Sequence, residues 1–96
     1  MVIAVNIGKN ITRMSAIDAT KRAWKLNRLK ASSHNYVIGV ANGAVSGYYN
    51  LNSVFVDRRE PDRVAFKLSP CTTSQIRVIN HAIRGLGLSG FVTKYI

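Results

Sequence analysis

Acidic residues are what this chain has least of. Four Asp and Glu stand against fourteen Lys and Arg over 96 residues, for a formal net charge of +10. No acid occurs between Asp18 and Asp57, and none follows Asp62. Acid–base catalysis ordinarily needs a positioned carboxylate or histidine. Asp57, Glu60 and Asp62 instead crowd one polar turn, where solvation or pairing with arginine accounts for them. There is a single cysteine, Cys71, so no internal disulfide can form and a reducing cytoplasm is the expected location. His34, His81 and Cys71 are too scattered to suggest a metal site, and no CxxC or HxxxH spacing occurs, so no metal or other cofactor is expected. No long apolar run is present, so no membrane partner is expected. The opening MVIAVNIGKN lacks a basic region ahead of its apolar residues, so a secretory signal is not expected either. Gly85, Gly87 and Gly90 spell GxGxxG, but ahead of a strand rather than between a strand and a helix, which excludes a dinucleotide fingerprint.

What is present is a basic chain able to bury a core. Hydrophobic residues make up 47% of it, and its length suits one domain, residues 1–96. The positive charge is concentrated: residues 19–56 and 63–96 each carry +5 with no acid. A solvated face normally mixes both signs, so uncompensated blocks point to an anionic partner, and nucleic acid is the favoured one. Five cations, Lys21, Arg22, Lys25, Arg28 and Lys30, fall within ten positions around Trp24 and are candidate RNA contacts. Arg77, His81 and Arg84 recur at helical spacing and form a second candidate patch. Trp24 suits a core better than a stacking platform. Tyr48 and Tyr49 are adjacent in a strand-like run and must face opposite sides, so one can be buried and the other can stack on a base; the sequence does not say which.

The periodicities predict strands at residues 2–7, 36–41, 44–51, 63–69 and 91–96, with a further short strand at 53–56. Asn42-Gly43 between two of them is a strong hairpin signal, because both turn positions need positive φ. Gly39 and Gly47 inside those strands mark a bulge or a close approach of other backbone. A helix is expected over 16–24 behind Ser15, a short helical turn over 28–32 capped by Asn27, and a helix over 73–84 behind a Thr72–Gln75 capping box. Ile76, Ile79 and Ile83 form the inner stripe of the last helix. The mixture gives an α+β class: a small, mostly antiparallel β-barrel or half-barrel with two or three helices.

The runs Ala23-Trp24-Lys25-Leu26-Asn27, Tyr36-Val37-Ile38-Gly39-Val40, Asn42-Gly43 and Gly47-Tyr48-Tyr49 resemble small domains of the PUA and ASCH type, as do Val64-Ala65-Phe66 and the closing Lys94-Tyr95-Ile96. The resemblance covers residues 19–96 and implies a PUA-like domain that binds RNA. Size and basicity also resemble phage-encoded toxin-inhibitory proteins. That likeness implies a non-enzymatic inhibitor in the host cell cytoplasm that blocks a ribonuclease toxin through an RNA-containing complex. Two alternatives stand beside it. Some ASCH-type proteins are hydrolases or nucleases, which would make this an RNA-cleaving or RNA-modifying enzyme using His34 or His81 as base. The other is an inhibitor that meets an acidic protein without RNA.

Overall fold

A computed structural model describes residues 1–22 and 24–96. Five strands and three helices follow one another as β1 (Val2–Asn6), α1 (Ala16–Thr20), α2 (Arg28–Ser32), β2 (Tyr36–Ala41), β3 (Ala44–Val56), β4 (Val64–Pro70), α3 (Thr73–Ile83) and β5 (Thr93–Tyr95). The strands form one open sheet in the order β4-β3-β2-β1-β5. All pairs are antiparallel except β1 with β2, which run parallel through the crossover that carries α1 and α2. The class is therefore α+β, with β4 and β5 as the sheet's edges.

Each face of the sheet buries its own cluster, as strand alternation requires. Ile3, Val5, Val37, Val64 and Phe66 point to the side covered by Ala19, Trp24 and Ala31 of the crossover. Val2, Ala4, Ile38 and Val40 point to the side covered by Ile79 and Ile83 of α3. α1 and α2 have five residues each and could not persist as isolated helices. Local caps and burial hold them: Ser15 Oγ accepts from the Asp18 amide at 3.3 Å, Asn27 Oδ1 accepts from the Lys30 amide at 3.0 Å, and Ala31 is fully buried. α3 begins with the expected capping box, Thr72 and Gln75 each accepting from the other's amide.

The hairpin forms where Asn42-Gly43 predicts it, with φ of 54° and 77°. Gly39 is the close approach. A Cβ there would stand 2.5 Å from Thr20 Oγ1, and the β2–β3 register shifts beside it. Gly47, its cross-strand partner, is covered by the Tyr49 ring.

Two expectations need correction. α1 stops at Thr20 rather than continuing to Trp24, because the backbone beyond it serves the sheet. The Phe66 amide donates to the Lys21 carbonyl at 2.6 Å, and Trp24 forms an antiparallel bridge with Val64 at 3.1 and 2.8 Å. Ala23, the other residue of that expected stretch, lies outside the described residues. Residues 53–56 are not a separate strand either. They continue β3, with a register shift between Leu51 and Ser53 that bends the strand from β2 towards β4.

Trp24 is 7% exposed, and its indole N–H donates to the Thr20 carbonyl at 2.6 Å. Trp24→Ala is therefore expected to destabilise the fold by about 3–5 kcal/mol, through lost burial plus the cavity left behind. Chemical denaturation of the two proteins measures the difference.

Candidate nucleic-acid interface

The turn joining β3 to β4 is organised by a buried carboxylate. Asp57 is 3% exposed. Its two oxygens accept from Arg22 Nε and Nη2 at 3.0 Å each, the fork geometry that suits an arginine to a carboxylate. Asp57 Oδ1 also accepts from the backbone amides of Arg59 at 2.9 Å and Glu60 at 3.4 Å. The Asp57 amide donates to the Arg63 carbonyl at 2.9 Å, closing the turn. The Arg22 guanidinium holds the Asp57 carboxyl down at about 2, with the turn amides helping against the opposing effect of burial. Arg22 is thus committed to structure: it is half-buried and also lies 3.9 Å from Glu60.

With Asp57 turned inward, Arg58 and Arg59 are exposed. Together with Lys21 and Phe55 they line a depression of about 320 Å³ that has Ala65 among its walls. Phe55 is 43% exposed, although its neighbours Val54 and Phe66 pack into the core. Lys67 stands opposite Ser53, and Ala65 opposite Phe55, so Phe55 and Lys67 share a face. It is the face on which α3 sits, but α3 packs over β1, β2 and the first half of β3 and leaves this part open. The result is an accessible aromatic ring among Lys21, Arg58, Arg59 and Lys67, a combination able to stack a base and meet its phosphates. Sequence reasoning missed it by treating residues 53–56 as a short strand and 58–62 as a turn. The available signal was Phe55 out of phase with Val54 and Val56 and three residues ahead of Arg58-Arg59.

The other candidate cations separate into two places. Lys25 and Arg28 are exposed on the α1–α2 side. Lys30 is there too, its ammonium 4.5 Å from the centre of the Tyr95 ring, which also meets the His34 ring at 4.8 Å. Arg77, His81 and Arg84 are exposed along α3, on the opposite side of the sheet. The two patches are therefore not brought together. Lys21 belongs both to the basic segment and to the Phe55 depression, and its ammonium lies 2.8 Å from Asp18.

Among the described residues, only Lys21, Arg22 and Arg63 have a carboxylate within 4.0 Å, which leaves eleven of the fourteen cations unpaired by acids. Tyr49 is the buried member of its pair, and Tyr48 is half-buried with its hydroxyl donating to Asn80 Oδ1 at 2.7 Å. Neither is the free platform; Phe55 is the better-placed ring. His34 Nδ1 lies 2.9 Å from the Lys30 carbonyl, a backbone rather than a carboxylate partner. Burial pushes the Cys71 thiol up, away from the reactive thiolate. No helix of the described residues is long and apolar enough to cross a membrane.

No family model matches the chain, nor does any curated protein or solved structure.

The Asp57 carboxyl is held below its ordinary value of 3.8, so the stability it contributes is complete above that value and is lost as pH falls towards about 2. Arg22→Met is expected to melt lower at neutral pH and to lose less between pH 4 and 2 than the wild type does. Thermal melts across an acid series check both.

Proposed function

We propose that this protein is a non-enzymatic, single-stranded RNA-binding domain. The observation that carries the reading is an exposed Phe55 beside Arg58, Arg59 and Lys67, three of the eleven cations that have no carboxylate partner among the described residues. Single-strand binders combine these two elements: charges that track the backbone and rings on which bases stack. In this reading the strand stacks on Phe55, with Lys21, Arg58, Arg59 and Lys67 at its phosphates. It continues along the basic segment past Lys25, Arg28 and Lys30. Arg22 acts by holding the turn, and Arg77, His81 and Arg84 offer a separate phosphate-attracting face on α3.

The fuller form of the proposal makes the domain a PUA-like half-barrel encoded by a phage and acting in the host cytoplasm. There, bound RNA would bridge it to a ribonuclease toxin and hold the nuclease inactive. Support for that form is the size, basicity and open, mostly antiparallel sheet, together with the likeness described for residues 19–96. The non-enzymatic part rests on the environment of the histidines. Neither His34 nor His81 has an orienting carboxylate among the described interactions, as a general base usually does.

Binding to a short single-stranded RNA is expected to weaken steeply with salt. With about five phosphates neutralised, log affinity against log salt should slope at roughly −3 to −4. Phe55→Ala should cost about 1–3 kcal/mol of binding with little change in thermal midpoint, as for a lost stacking partner. Gel shifts over a salt series measure both, and a flat salt response would remove the phosphate contacts from the account.

Labelled RNA incubated with the purified protein is expected to remain intact. Turnover abolished by His34→Ala or His81→Ala would establish the enzyme alternative instead. Retained inhibition of a toxin after nuclease treatment would establish the RNA-independent one.

A further inference from the structure

A second concavity meets the basic segment at Trp24, and the RNA reading does not use it. It encloses about 640 Å³, within the range of small-molecule sites. It opens at the carboxyl ends of β1 and β2, the parallel pair. Its walls come from the loop after β1, the Asn42-Gly43 turn and the stretch before β5, with Trp24 at one side.

The wall chemistry is selective. Asn10 and Asn42 each offer an amide with a donor and an acceptor, and Ser89 adds a hydroxyl. Trp24 and Phe91 supply aromatic surface, and among the described residues Lys9 is the only charged group lining the cavity. Among the described lining residues the polar groups are amides, a hydroxyl and one ammonium, which suit hydrogen-bond recognition. The site is braced from below by Asn6. Its Oδ1 accepts from the Gly8 amide at 3.0 Å, and its Nδ2 donates to the Phe91 carbonyl at 3.3 Å, tying the loop after β1 to the segment ahead of β5. Asn6 is thereby occupied, whereas no partner is described for the side chains of Asn10 and Asn42.

Paired donors and acceptors beside aromatic carbon match the edge and face of a nucleobase, and a lysine at the rim matches the phosphate attached to it. We infer that this cavity takes one unpaired nucleobase on its sugar-phosphate, with Asn10 and Asn42 reading the base edge, Phe91 and the rim of Trp24 against the ring, and Lys9 at the phosphate. The inference deepens the RNA reading, on which it rests for its ligand class. Trp24 belongs to both the basic segment and the cavity wall, which makes it the link between the two. The same chemistry would accept a free nucleotide, and the two sources are separable by experiment.

Trp24 is the only tryptophan in the chain, so its emission reports on this wall and the core behind it, and the variants below isolate the wall. The test excites it at the red edge, away from nucleotide absorption. AMP, GMP, CMP, UMP, ribose 5-phosphate and a short single-stranded RNA are titrated separately. Saturable quenching by at least one nucleotide, and none by ribose 5-phosphate, is the expected result. Asn10→Ala and Asn42→Gly should each weaken it about tenfold, the loss of one or two hydrogen bonds. Both positions are exposed, and glycine keeps the positive φ of Asn42, so the fold should survive, as circular dichroism can confirm. Quenching by RNA but by no mononucleotide, yet sensitive to both variants, identifies a base delivered by the strand and supports the inference. Equal quenching by ribose 5-phosphate, or indifference to both variants, overturns it. RNA that binds in a gel shift while Trp24 emission stays unchanged overturns the cavity assignment and leaves the proposed function intact. Nucleotide quenching without any RNA binding keeps the cavity and removes the RNA reading.

Discussion

The seam that Lys21, Arg22 and Trp24 make with β4 and the turn before it decides where almost everything else can be. The Lys21 carbonyl takes the Phe66 amide, Arg22 closes on Asp57, and Trp24 bridges Val64. An edge strand left bare invites pairing with another chain, and this seam covers part of that edge. It also sorts the basic segment. Lys21 is placed beside Phe55, Arg22 is consumed by the turn, Trp24 is drawn into the core, and Lys25 and Arg28 remain at the surface. One short stretch therefore supplies core, turn and surface charge.

The same seam accounts for the chain's few acids. Asp57 is buried with a bidentate arginine and turn amides, an arrangement that satisfies a carboxylate otherwise costly to desolvate. Asp18, Glu60 and Asp62 each lie within 4.0 Å of Lys or Arg. The net +10 that remains after all four acids are counted opposes compaction through its self-repulsion. Burial on both sides of the sheet must outweigh it. An anionic ligand that binds only the folded chain would relieve that repulsion and stabilise the fold by mass action. On the proposed reading, stability and RNA occupancy are coupled for this electrostatic reason.

Features decided by neighbouring residues were legible in the sequence. The Asn42-Gly43 turn, the Thr72–Gln75 box, the Asn27 cap and two of the three isoleucines expected inward on α3, Ile79 and Ile83, all follow from a few adjacent side chains; Ile76 is only half-buried. What escaped depends on partners far along the chain. Nothing local ends α1 at Thr20; the pairing of Lys21 and Trp24 with β4, about forty residues on, does so. Nothing near Arg22 in sequence assigns it to Asp57, 35 residues on, while Lys21 beside it stays exposed. The parallel pairing of β1 with β2, and hence the cavity at their carboxyl ends, was likewise invisible in strand periodicity. Phe55 was hidden because alternation names the face of a residue but not whether a helix covers that face.

The most direct test of the central claim maps backbone amide shifts of the labelled protein as a short single-stranded RNA is added. The account predicts the largest changes at residues 53–59 and around Lys21, Lys25 and Arg28, fading as salt is raised. Changes confined to the outer face of α3, at Arg77, His81 and Arg84, or no change at all, would contradict it.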